Sequence, residues 1–253
     1  MPFVDLDFFK ANGYVILDDA LTQEETTRFT ALYDRDRAER WYNWRLIGPN
    51  SHQTVNCDPL ITTPEIDDFI RHPGILEPIR QIMGGPVCVS ETCFRHIAPY
   101  DGTQCQHWHR DRTHDLTHPL RTAYVHAMVY LTDVHEKPHC FSISPEAYTD
   151  PILDADAQLA KRGSVDIYGP AGTVVLFNLS VLHTATARPT SCERKTLQTY
   201  YGHRDGPVLS HNSTLPARLW RDHPDPEVLA LYGNLNEKSR LYTEAFETRN
   251  DPP

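Results

Sequence analysis

The chain reads as a mainly β fold with flanking helices, a β-sandwich or barrel buttressed by a helical N-terminal part. Three observations predict it. Helical spacing and helix-stopping glycines dominate up to about residue 85. From Pro86 that period is lost, and short apolar, β-branched runs alternate with turns containing Pro, Gly and Asp. Twenty prolines also suit a loop-rich β protein better than a helical bundle. At 253 residues the chain can bury a sizeable core as one domain.

Residues 5–12 are expected to form a short helix ended by Gly13, and Tyr14, Val15, Ile16 and Leu17 a strand. Thr22 with Glu25 three residues on makes a capping box, which opens a helix running to about Trp41. From Trp41 to Leu60 no period holds. The aromatic Trp41, Tyr42 and Trp44 therefore fall in a loop, where Trp44 is a candidate for lining a substrate pocket and packing onto the core is the plainer reading. Helices return at 64–71 and 74–84, opened by Pro and Pro-Gly, the second stopped by Gly84 and Gly85. Val87 and Val89, two apart, begin the β region, followed by a mixed run with Phe94 and Ile97. Residues 122–132 make a strong strand, with others at 140–144, 164–168, 172–179 and 194–202. A helix opened by Pro226 and another near 236–248 close the chain.

Composition narrows the function. Thirty-four acidic against 24 basic residues give a net charge of -10 without long blocks, which makes nucleic acid and anionic membrane poor partners. No apolar run approaches the roughly 18 residues that a membrane span requires. The six cysteines contain no C-x-x-C pair, and the start shows no basic segment followed by an apolar one. The expectation is a soluble, reduced, cytoplasmic protein that acts on a small molecule.

The chemistry gathers at Gln106, His107, Trp108, His109, Arg110 and Asp111. On an extended chain side chains two apart share a face, so His109 and Asp111 can bind one metal. A third ligand is available in His183, which follows the apolar strand 172–178. Arg194 stands eleven residues later, at the start of the next strand-like run, and a hairpin of that size can set its guanidinium beside the imidazole. Two histidines and one carboxylate on one face leave positions open, which suits iron(II) that must bind both dioxygen and a cosubstrate. A nearby arginine supplies a rigid fork matched to a carboxylate. Together they describe a 2-oxoglutarate-dependent oxygenase. The rivals are a zinc-dependent hydrolase on a similar barrel, which has no need of Arg194, and a non-catalytic binding protein derived from the fold.

Trp108-His109-Arg110-Asp111, His183 and Arg194 resemble the phytanoyl-CoA dioxygenase-like (PhyH) family of iron(II) and 2-oxoglutarate-dependent oxygenases. Residues 5–25 resemble that family's start, and residues 130–137 the strand and acidic turn after its HxD motif. The resemblance implies a double-stranded β-helix of the jelly-roll or cupin-like type. It implies iron(II) held by His109, Asp111 and His183, with 2-oxoglutarate and dioxygen as cosubstrates and Arg194 on the distal carboxylate. Hydroxylation of an unactivated C–H bond in a small metabolite or natural-product intermediate, with release of succinate and CO2, is the default outcome. Halogenating relatives replace the carboxylate ligand, so Asp111 excludes that variant, while desaturation, cyclisation and epimerisation stay open. One oxygenase domain, 1–253, would comprise a helical part (about 1–85), the β-helix core (about 86–203) and a C-terminal extension (204–253).

The family often reads IPGSH after the acidic turn, whereas this chain has Ser142-Ile143-Ser144-Pro145-Glu146. A cosubstrate-holding hydroxyl is expected near Cys140–Ser142, without one residue being singled out. Gln106 stands three before the first ligand, where some relatives contact 2-oxoglutarate, yet strict alternation puts His107 on the ligand face instead. His126, mid-strand, is either a core histidine or a substrate contact, and Thr196 and Gln198, on the face of Arg194, either line the pocket or fill the barrel. His114, His118, His135, His139 and His211 read as solvated surface.

Overall fold

A computed structural model of the chain describes residues 4–17, 19–47 and 50–247. The first part runs α1 (Leu6–Asn12), β1 (Tyr14–Leu17), α2 (Gln23–Glu39), β2 (Arg45–Ile47), β3 (Asn50–Asn56), α3 (Pro59–Thr62), α4 (Asp67–Ile70) and α5 (Pro73–Met83). The β-rich part follows as β4 (Val87–Ile97), β5 (Tyr124–Tyr130), β6 (Cys140–Ile143), α6 (Ala155–Arg162), β7 (Val165–Ile167), β8 (Val174–Asn178), β9 (His183–Thr186) and β10 (Arg194–His203). Three helices end it: α7 (Ala217–Trp220), α8 (Pro226–Leu231) and α9 (Glu237–Phe246). Local signals behave as read. Gly13 takes the left-handed conformation (φ 75°) that stops α1, and the reciprocal bonds of the Thr22–Glu25 capping box start α2. Thr248, the last residue of the expected C-terminal helix, lies outside the described residues.

Seven strands form a large antiparallel sheet in the order β1-β8-β5-β10-β4-β3-β2, and three form a small one, β7-β6-β9. After β4 and β5 the chain passes to the small sheet for β6 and β7, returns for β8, crosses for β9 and returns for β10. This exchange builds the double-stranded β-helix. The period of two decides what each face of the large sheet meets. Val125, Ala127 and Val129 of β5 and Val174 and Leu176 of β8 join Phe29, Tyr33, Phe69 and Ile79 in a core against the helices. Their alternates Tyr124, Met128 and Tyr130, with Val175 and Phe177, face the small sheet beside Phe141, Ile143 and Ile167. Helices, large sheet and small sheet are thus three layers, and the cavity described below lies between the sheets.

Two expectations are corrected. The supposed loop after Trp41 contains β2 and β3; β3 pairs with β4 (Gln53 opposite Ile97, Val55 opposite Arg95). Its residues alternate weakly because its identity comes from pairing beside β4 and little from apolar pattern. Short β9, unforeseen, is fixed by pairing with β6 (His183 opposite Ile143). No helix among the described residues is long and apolar enough to cross a membrane.

Candidate metal centre and cosubstrate cavity

His109 and His183 exchange both backbone hydrogen bonds, each 3.0 Å, in an isolated antiparallel bridge at the start of β9. That pairing sets the two imidazoles side by side, ring centroids 4.5 Å apart. The Asp111 backbone N–H donates to the Leu179 carbonyl (3.1 Å), which turns the Asp111 carboxylate back toward both rings. Its Oδ1 lies 3.3 Å from His109 Nε2 and its Oδ2 3.6 Å from His183 Nε2. One donor atom from each of the three residues lies within 4.8 Å of the other two.

Each imidazole is also oriented from behind. His109 Nδ1 lies 2.7 Å from the His107 carbonyl, and His183 Nδ1 lies 2.8 Å from the Val181 carbonyl. An Nδ1–H donated to a carbonyl leaves the Nε2 lone pair for a metal, the tautomer that ligating histidines are held in. Burial works to raise the Asp111 pKa, but hydrogen bonds and charge from His109 and His183 outweigh it and hold the carboxyl well below the usual range. The donor set, two imidazole nitrogens and one anionic oxygen, fits a divalent transition ion with open positions.

The triad opens into a cavity of about 340 Å³ that Arg194 also lines. Arg194 opens β10 opposite Ile97 of β4 and is 4 % exposed. Its Nε and Nη1 have no hydrogen-bond partner, and desolvation depresses its pKa. No carboxylate among the described residues forms an ion pair with it. A buried guanidinium with idle N–H groups facing a cavity is costly unless an anionic ligand completes it.

The family model for phytanoyl-CoA dioxygenase (PhyH) matches residues 9–196, a stretch that contains His109, Asp111, His183 and Arg194. The chain belongs to the phytanoyl-CoA dioxygenase (PhyH) family. It is therefore a 2-oxoglutarate-dependent non-haem iron oxygenase. No curated protein matches the sequence. Solved structures share the fold at low identity. The epimerase SnoN from nogalamycin biosynthesis is 17% identical with a TM-score of 0.67, over 78% of this chain and 79% of its own. The carbocyclase SnoK from the same biosynthesis is 21% identical (TM-score 0.67; 79% and 83% covered). EctD from S. alaskensis is 15% identical (TM-score 0.67; 82% and 79% covered).

Within this PhyH cavity several side chains take other places than expected. Gln106 does not line it. Its amide donates to Thr186 Oγ1 (2.9 Å), while His107, on the alternating face, does line the cavity. Thr196 is buried and accepts from the Gln198 amide (2.9 Å), so Gln198 reaches the cavity and Thr196 supports it. Trp44 packs in the helical core, stacked on Phe94, its indole N–H donating to Asp36 (2.9 Å). Ser142 is buried between Thr186 (2.5 Å) and Asp166, away from the lining, so no hydroxyl of the Cys140–Ser142 run faces the cavity. His126 does line it. Two histidines read as surface are interior: His139 is fully buried, and His114 lies 2.7 Å from the Glu146 carboxylate. Arg110, directly between His109 and Asp111, holds the Ser180 and Leu153 carbonyls and so braces the triad loop.

Arg95, Tyr200, Phe141 and Phe177 line the cavity without having been anticipated. One signal existed for Arg95, a lone arginine inside the apolar run Cys93-Phe94-Arg95-His96-Ile97.

Proposed function

We propose that this PhyH-family enzyme hydroxylates a C–H bond of a small metabolite or natural-product intermediate, converting 2-oxoglutarate to succinate and CO2 as it does so. The observation that carries the reading is Arg194, whose unpartnered, buried N–H groups share one cavity with the His109–Asp111–His183 donor set.

In this reading the two Nε2 atoms and the Asp111 carboxylate hold iron(II), and Arg194 pairs with the distal carboxylate of 2-oxoglutarate. When bound, iron with 2-oxoglutarate and dioxygen supplies an oxidant strong enough for an unactivated C–H bond. The protein's own work is placement. The His107 and Val181 carbonyls hold Nδ1 of the two imidazoles and so aim both Nε2 atoms at one point. The forked guanidinium fixes the far end of the cosubstrate, so its oxo-acid end has one orientation at the metal. Phe141, Phe177 and Met128 line the reaction space with apolar surface, which limits the water that could intercept the oxidant. SnoN, an epimerase, and SnoK, a carbocyclase, put two further outcomes beside hydroxylation.

The test is succinate formation with iron(II), 2-oxoglutarate and dioxygen across candidate substrates, with the product weighed by mass spectrometry. Gain of one oxygen supports hydroxylation, loss of two hydrogens ring closure or desaturation, and unchanged mass epimerisation. Failure to bind or turn over 2-oxoglutarate, with zinc bound in preference to iron, rejects the oxygenase reading in favour of hydrolysis.

A further inference from the structure

The cavity holds a second guanidinium that neither iron nor 2-oxoglutarate requires. Arg95 on β4 stands opposite Thr196 of β10, and its Nη2 reaches the Tyr200 hydroxyl (3.4 Å), four residues further along β10. Its Nε is buried without a hydrogen-bond partner. No carboxylate among the described residues forms an ion pair with it. Opposite Tyr200 on β5 is His126, 4 % exposed, stacked on the Tyr200 ring at 3.9 Å, with neither ring nitrogen bonded. Arg95, Tyr200 and His126 all line the cavity.

Tyr200 and His126 lie away from Arg194, and Arg95, opposite Thr196, stands between them and Arg194, near enough for the two guanidinium charges to act on each other. Arg194 and Tyr200 are six residues apart on one strand, so their backbones are roughly 20 Å apart at about 3.3 Å per residue. The triad lies toward the His126 end: Phe177 touches both His126 (4.6 Å between centroids) and His183 (4.9 Å). Charge makes the same division. A divalent ion, Asp111, Arg194 and Arg95 leave three positive charges, and dianionic 2-oxoglutarate cancels two. One positive charge, on Arg95, remains uncompensated in a confined site where an unpaired charge is costly.

We propose that Arg95, with the Tyr200 hydroxyl and His126, anchors the substrate through a single anionic oxygen group, a carboxylate or an ionised enol or phenol, borne on an apolar body that lies along Phe177 and Met128. The proposal rests on Arg194 and the triad holding 2-oxoglutarate and iron. It names the substrate class: a small, mostly apolar monoanion.

The test uses the full chain loaded with iron(II) and saturating 2-oxoglutarate under nitrogen, titrated calorimetrically with 4-phenylbutyrate and 2-naphthoate and with their neutral amides. The acids are expected to bind about tenfold or more tighter than the amides, the scale of one charge-assisted hydrogen bond. Arg95→Gln removes that preference, Arg95→Lys keeps part of it, and both leave the dissociation constant of 2-oxoglutarate within about threefold of wild type. Equal binding of acid and amide to the wild type, or binding of neither acid, overturns the proposal without needing a folded variant. It is also overturned if Arg95→Gln weakens 2-oxoglutarate as much as Arg194→Gln does, since Arg95 would then serve the cosubstrate. If the iron-loaded wild type does not bind 2-oxoglutarate at all, the oxygenase reading fails along with it. Intact 2-oxoglutarate binding with indifferent acids sinks the anion anchor alone.

Discussion

Asp36 and Arg194 are both buried charged residues, and the protein treats them in opposite ways. Asp36, 1 % exposed on α2, accepts hydrogen bonds from Trp44 Nε1 (2.9 Å), Asn56 Nδ2 (2.9 Å), Thr63 Oγ1 (2.8 Å) and the Thr62 hydroxyl. It ties α2 to β3 and α3 and has no idle oxygen. Arg194, 4 % exposed on β10, keeps two N–H positions without a partner. Desolvating a charge is expensive, and a fold that needs one for structure surrounds it with donors. Beside the cavity, the partner proposed for the idle N–H groups of Arg194 is the cosubstrate. Satisfaction, more than burial, separates the structural polar groups from the functional ones.

Substitutions test that contrast. Asp111→Ala has the largest expected effect, abolishing turnover and iron binding in a metal titration, because it removes the anionic donor proposed to hold iron. Asp36→Ala comes next: four donors lose their acceptor, and a destabilisation of about 3–5 kcal/mol is expected in urea unfolding. Affinity of the folded variant for 2-oxoglutarate should not change, and a matching loss of cosubstrate binding would break the distinction between the two regions.

His139 belongs with Asp36. The Arg188 N–H donates to its Nδ1 (3.1 Å), its Nε2 faces the Ala98 carbonyl (2.9 Å), and burial lowers its pKa to about 4. Its folded pKa is below the unfolded 6.5, so the folded state prefers the neutral ring. That stability is complete above about pH 6.5 and is lost as pH falls toward about 4, on the order of 3 kcal/mol. Urea midpoints at pH 7 and pH 4.5 should therefore diverge less in His139→Asn than in the wild type. The smallest effect is expected at Gln106. Its amide is spent on Thr186, so Gln106→Leu should cost under about 1 kcal/mol of stability and leave cosubstrate affinity within about twofold.

The same contrast explains what was legible in the sequence. His109, Asp111, His183 and Arg194, which the structure brings to one cavity, were legible because the metal and carboxylate chemistry proposed for them demands fixed residue types, and the family motif places them. Strands β5 and β8 were readable because they are apolar on both faces, whereas β4, the longest, read only as a mixed run. Trp44 and Thr196 misled because side-chain type does not reveal where the partner is: the indole N–H finds Asp36 eight residues earlier, and the Thr196 hydroxyl finds Gln198. Gln106 against His107 was a question of strand phase, which the bridge between His109 and His183 decides in favour of alternation. Arg95, Tyr200 and His126 gain their meaning only from register, since they meet across three adjacent strands far apart in the chain. His139 and His114 read as surface because polar neighbours in sequence say nothing about the layers that close over them.

The most direct measurement is unfolding of Arg194→Gln in urea, with and without iron(II) and 2-oxoglutarate under nitrogen. If the idle N–H groups await the cosubstrate, the ligand-free variant is at least as stable as the wild type, because a costly unpaired charge is gone. It then loses the 2-oxoglutarate-dependent stabilisation, with binding weakened by about 2–5 kcal/mol. A ligand-free variant destabilised by several kcal/mol that still gains full stabilisation from 2-oxoglutarate would contradict this, and would make Arg194 a structural residue like Asp36.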